Sequence, residues 1–237
     1  EKVRKYTRNI VIVSSDGLLE EIAGGENYVF IPIPRGYVPR TSLPYMLVTI
    51  LGLLDSSGYR VVDKGIVEDA LEFLENSLEE VKGIGDEVAD FIDRYRGLLV
   101  LASHSPYESL LIRGKNEFNE NSKIPVKVEC APEWMHNDIV GWEKPCLGNK
   151  YVVLAIKDSS DSIGSNLVDY MISVYRSLDI PVYELVLKGS GLLDRLLYGS
   201  LLLGFASVFL AIRRGVDPIV TMSIERYKGV VKRIFNI

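Results

Sequence analysis

Cysteine, histidine and tryptophan occur only twice each in this chain of 237 residues. Cys130 and Cys146 are too few for a disulfide framework, so the expected compartment is a reducing one, the cytoplasm. His104 and His136 stand thirty-two positions apart with no Cys/His cluster beside either. No ligand set for zinc or iron is therefore expected, no organic cofactor is implied, and only a hard cation held by carboxylates stays open. An excess of positive charge is missing too: Lys and Arg number 27 against 32 Asp and Glu, a net charge of −5. That balance gives no electrostatic footprint for nucleic acid. A glycine-rich phosphate fingerprint is also lacking, because Ser14-Ser15-Asp16-Gly17 closes a strand without the spacing of a P-loop or a dinucleotide turn.

Long apolar runs are scarce as well. Near the start only residues 9–15 are apolar before Asp16 and Gly17 intervene, which reads as a strand rather than as a signal peptide. The longest uncharged run, residues 196–212, has seventeen residues and contains Gly199, Ser200, Gly204 and Ser207. Spanning a bilayer takes about 20 predominantly apolar residues, so no membrane association is expected. The run reads as a helix buried on most sides, with small residues where another backbone approaches closely.

What is present is an ordinary globular composition, 47% hydrophobic and 25% charged, with β-branched runs alternating with helical stretches. Strands are expected at 9–15 and 28–33, then at 98–103, 126–130, 151–157 and 182–187. Helices are expected at 18–23, 41–54, 107–121, 163–178, 192–214 and 224–235. Fully apolar strands between helices argue for parallel sheets covered on both faces, hence an α/β fold. Residues 63–96 differ, with eleven acidic side chains against four basic ones. Val67, Leu71, Leu74, Leu78 and Val81 predict an amphipathic helix there, which Gly83 and Gly85 break before a second one. The expected organisation is a first α/β unit at 1–62, a helical connector at 63–96 and a second α/β unit at 97–237.

Two stretches carry the chemistry. In Lys115-Asn116-Glu117-Phe118-Asn119-Glu120-Asn121-Ser122-Lys123, regular helical spacing puts Asn116, Asn119 and Glu120 on one face and Glu117 elsewhere. Asparagine has poor helix propensity, so three within six residues imply that their hydrogen bonding is wanted, although a frayed, solvated helix end explains them equally well. Residues 131–143 follow a strand, are irregular, and expose His136 together with both tryptophans, Trp134 and Trp142. Loops at strand ends of open α/β sheets are where ligands bind, while a lone histidine is more often a solvated or packed residue.

These stretches, K-N-E-F-N-E-N-S-K and P-E-W-M-H-N-D-I-V-G-W, resemble the paired motifs of the archaeal-type bifunctional phosphoglucose/phosphomannose isomerases of the sugar-isomerase (SIS) superfamily. His136 follows Glu120 by sixteen positions, as in the family pattern. Val38-Pro39-Arg40-Thr41-Ser42-Leu43-Pro44 and Gly215-Val216-Asp217-Pro218, continuing to Lys228, resemble two further family elements. The similarity implies two SIS-type units, the first incomplete, and interconversion of glucose and mannose 6-phosphates with fructose 6-phosphate through a cis-enediol.

By the same resemblance Glu120 is the base and Arg40 stabilises the enediol oxygens. His136 and Lys228 open the sugar ring, and Thr221 accepts the mannose epimer. Asn119 and Asn137 complete the substrate contacts. The resemblance also implies a homodimer in which His136 serves the neighbouring subunit. A non-catalytic module that binds a sugar phosphate is the competing reading, distinguished by having no need of a base.

The family's Ser-x-Ser-Gly-x-Thr phosphate loop does not occur in these 237 residues. The chain opens on Glu1 rather than Met, and residues 1–8 match the helix that follows that loop in the family. The expectation is negligible turnover of fructose 6-phosphate by these residues alone, read in a coupled assay; measurable turnover would contradict it.

Overall fold

The computed structural model describes residues 3–235. It divides into two compact units, Glu1–Glu68 and Asp69–Ile237. In the smaller unit, strands β1 (Val11–Ser14) and β2 (Val29–Pro32) pair in parallel, joined by helix α1 (Leu18–Glu26). A 3-10 turn, Pro39–Ser42, then leads into α2 (Leu43–Ser56), with Pro44 in its first turn, where the missing N–H costs nothing. Residues 1–8, expected as a helix, hold one 3-10 turn at Val3–Lys5, and Glu1 and Lys2 lie outside the described residues.

Residues 63–96 depart from expectation. They form one unbroken helix, α3 (Lys64–Tyr95), instead of two helices parted at Gly83 and Gly85. A Cβ on Gly85 would stand 3.0 Å from the Phe205 Cβ and 3.2 Å from the Ala206 nitrogen. Glycine is there so that two helices can approach, not to end one. Val81, Val88, Ala89 and Ile92 of α3 are buried in the core of the larger unit.

The larger unit is built on four parallel strands, β3 (Leu98–His104), β4 (Val126–Ala131), β5 (Tyr151–Lys157) and β6 (Val182–Val186), in the order β4-β3-β5-β6. Strand alternation sends Leu99, Leu101, Val152 and Leu154 to one face, and Val100, Ala102, Val153 and Ala155 to the other. The first face is covered by α3, α4 (Glu108–Glu117) and α7 (Leu192–Arg213). The second face is covered by α6 (Ser162–Ser177) and the segment after β4, which holds a 3-10 turn at Glu133–Met135 and the short helix α5 (Asp138–Gly141). Both faces are apolar because both are covered, as the continuous apolar strands require. Helix α8 (Met222–Phe235) closes the described chain.

Helix α7 is the one helix among the described residues long and apolar enough to cross a membrane, yet 44% of its most apolar stretch is buried inside the protein. Leu202, Leu203, Ala206 and Leu210 form a core-facing stripe at helical spacing. The exposed residues of α7 are Leu192, Ile212 and Arg213 at its two ends, so between them the helix is buried or half-buried all round, as the sequence implies. Of its small residues, Gly199 makes room for Leu110, since a Cβ there would lie 2.6 Å from a Leu110 methyl. Ser207 is buried for its hydroxyl, whereas Gly204 borders open space.

Candidate functional site

Helix α4 does not run on to residue 121 as a regular helix. After Glu117 the backbone widens into a π turn, Phe118–Ser122, closed by Lys123 in the left-handed conformation at φ 58°. Such insertions re-aim side chains and recur at functional sites. Phe118 and Asn121 are buried, Asn119 is exposed and Glu120 is half-buried. The Asn121 amide donates to Glu117 Oε2 at 2.8 Å and to Ser207 Oγ at 2.8 Å. The Ser122 hydroxyl donates to the Ser207 carbonyl at 2.5 Å. Glu117, itself buried, pairs with Arg113 one helical turn earlier. The widened turn is thus fastened to α7 by hydrogen bonds in a dry setting, where leaving a partner unpaired is expensive.

The asparagine-rich stretch therefore divides its labour. Asn121 holds the turn, Asn119 and Glu120 face outward, and Asn116 is exposed on α4 without joining them, contrary to the single-face expectation. Asn119 and Glu120 border a cleft of 880 Å³, whose other walls are Lys123 to Pro125, Val216, Asp217 and the start of α8 with Thr221 and Arg226. That volume is ample for a phosphorylated hexose. Thr221 sits just ahead of α8, its carbonyl accepting from the Ile224 and Glu225 amides. Lys123 crosses between the walls, its ammonium donating to the Glu120 carbonyl at 2.5 Å and to the Asp217 carbonyl at 2.9 Å. Its part as a strap, like the place of Arg226 on the wall, has no sequence signal beyond a basic residue beside a motif.

Of the expected residues in the larger unit, Lys228, His136 and Asn137 do not line this cleft. Arg40 belongs to the smaller unit, half-buried in the turn Pro39–Ser42. Lys228 is exposed on α8 and is not on the cleft wall. His136 and Asn137 are exposed, and Asn137 donates to Glu133. They follow the carboxyl end of β4, whereas Glu120 precedes its amino end. Six strand residues separate the two ends, a distance of roughly 20 Å at about 3.3 Å per residue. Glu120 and His136 of one chain are consequently not brought together.

Both tryptophans, expected to be exposed beside His136, are buried at 0% and 4% exposure. The reason is Glu129 on β4, 1% exposed, whose carboxylate accepts from Trp134 Nε1 at 2.7 Å and from Trp142 Nε1 at 3.0 Å. The Tyr175 hydroxyl and the Lys127 ammonium complete its shell. Burial, reinforced by this carboxylate, pushes the Tyr175 phenol up. Sequence reasoning missed Glu129, and the available signal was Lys127 and Glu129 at alternate positions of a strand ahead of two tryptophans.

The chain is similar to known proteins over most of its length. Residues 83–231 match the family described as bacterial phospho-glucose isomerase C-terminal SIS domain. The chain is similar to the bifunctional phosphoglucose/phosphomannose isomerase of Aquifex aeolicus (strain VF5), 36% identical over 226 residues that cover 93% of this chain and 67% of that protein. It is 32% identical over 225 residues to the protein of the same name from Aeropyrum pernix, covering 92% of this chain and 65% of that one. The chain thus spans about two thirds of the length of these relatives. Among solved structures, a hypothetical protein of Thermus thermophilus superposes with a TM-score of 0.73 at 13% identity, over 98% of this chain and 64% of that one, a likeness of fold.

Proposed function

The chain belongs to the family of the bacterial phospho-glucose isomerase C-terminal SIS domain, and from that premise we propose that it carries the catalytic base of a sugar-phosphate aldose–ketose isomerase. The substrates are glucose 6-phosphate and mannose 6-phosphate, interconverted with fructose 6-phosphate. The carrying observation is that Glu120 stands on a widened, internally fastened turn and shares one cleft with Asn119 and Thr221. A carboxylate suits a proton shuttle between C1 and C2, because the same oxygen can accept the proton and return it to the neighbouring carbon of a cis-enediol.

Arg40 then offsets charge on the enediol oxygens with a permanent guanidinium, and His136 and Lys228 move the protons that open the ring. Asn119 hydrogen-bonds the sugar within the cleft, and Asn137 does so alongside His136 from the other subunit. The separation of Glu120 and His136 along β4 supports a homodimer in which each cleft receives the histidine of the other subunit, an isologous arrangement. Unpaired cysteines, Cys130 half-buried and Cys146 exposed, fit a cytoplasmic enzyme.

The test is conversion of each aldose phosphate to fructose 6-phosphate by the intact protein, with sugar-phosphate binding followed in parallel. Turnover of both supports the reading; binding without turnover favours the non-catalytic module. Thr221→Val probes the epimer assignment. Loss of one hydroxyl contact is expected to lower kcat/KM for mannose 6-phosphate about tenfold, leaving glucose 6-phosphate within about twofold. Equal losses on the two substrates would remove Thr221 from epimer selection.

A further inference from the structure

Trp134 and Trp142 flank His136, and both indole N–H groups end on the same buried carboxylate. We propose that Glu129 is a positioning residue for His136, clamping both ends of the segment that presents the histidine; this rests on the role given to His136 above. A carboxylate taken out of water is costly unless its oxygens are hydrogen-bonded and paired. Here two indoles, a phenol and the Lys127 ammonium satisfy it.

An apolar residue would pack at this point with less desolvation, but it would leave two indole N–H groups and a phenol without a shared acceptor. The rings are locked in turn by edge-to-face contacts, Trp142 to Tyr151 at 4.9 Å and to Tyr175 at 5.0 Å, and Trp134 to Tyr175 at 5.8 Å. Lys127 also lies 5.2 Å above the Trp142 ring. Between these two fixed points His136 and Asn137 are exposed, and the His136 amide is tied to the Glu133 carbonyl at 3.0 Å. A histidine that must reach a cleft not built by its own end of β4 needs its backbone held, and this clamp fixes the residues on either side of it.

The experiment is a double-mutant cycle in the intact protein. Glu129→Gln keeps the shape but offers one acceptor oxygen and an amide that meets the indole N–H groups head-on. It is expected to lower kcat on the order of tenfold with KM within about twofold, by misplacing the histidine. It should also weaken the near-ultraviolet circular dichroism of the two tryptophans. In a His136→Ala background the same substitution should cost nothing further, since there is no ring left to position. Trp142→Phe removes one hydrogen bond while keeping an aromatic ring, and serves if Glu129→Gln does not fold; its kcat loss should be smaller and likewise vanish without His136. Losses that add to those of His136→Ala, or an unchanged kcat in both clamp variants, overturn the proposal. A His136→Ala protein of normal kcat would overturn it through the histidine's own role, an outcome visible in that single variant.

Discussion

Glu120→Gln in the intact protein is expected to reduce kcat for isomerisation by roughly two to four orders of magnitude, the usual contribution of a positioned base. Substrate affinity should stay within about threefold, because a carboxamide of the same shape keeps the cleft's volume and its hydrogen-bonding edge. The separation of these two quantities is what matters. A base acts on the transition state, so its loss lowers kcat and kcat/KM together and leaves ground-state binding alone. The turn itself is fastened through Asn121 and Ser122 to Ser207. Steady-state kinetics with fructose 6-phosphate, paired with equilibrium binding of the same compound, checks the prediction. Wild-type turnover in this variant would remove Glu120 as the base.

Asn121→Ala should have the largest effect on stability, about 3 kcal/mol, from a lost pair of buried hydrogen bonds and a small cavity. Its amide joins Glu117 on α4 to Ser207 on α7, so the widened turn loses the link that fixes its pitch. Urea unfolding of this chain should show a lower midpoint with an unchanged slope. Asn119→Ala is the matched control: two positions away but exposed, it should alter stability by less than about 0.5 kcal/mol. Equal effects of the two substitutions would mean that the turn is held by its backbone alone.

That contrast marks where the sequence stops being informative. The parallel strands were legible because continuous apolar runs have one cheap fate in an α/β fold, and β5 occupies the residues expected of it, 151–157. Helix α3 was legible in its amphipathic spacing but not in its continuity. Local propensity penalises Gly83 and Gly85 alike, and only the presence of α7 against Gly85 explains why the helix runs on. The π turn left no trace, since one added residue in a helical ladder changes no residue type. Asn116, Asn119 and Asn121 look equivalent in the sequence; their separation into exposed, cleft-facing and buried follows from that hidden turn and from Ser207, eighty-six positions away. The tryptophans were misread for a related reason. Their acceptor, Glu129, is a charged residue in a buried place, and burial of a charge shows only once its partners are assembled.

The central claim is that the Glu120 carboxylate moves the proton between C1 and C2. It is tested most directly by running fructose 6-phosphate in deuterium oxide and following deuterium at C2 of the aldose phosphate by NMR. The intact protein should incorporate solvent deuterium at C2, and Glu120→Gln at equal concentration should lose that exchange along with turnover. Deuterium entering C2 at the wild-type rate in Glu120→Gln would contradict the assignment.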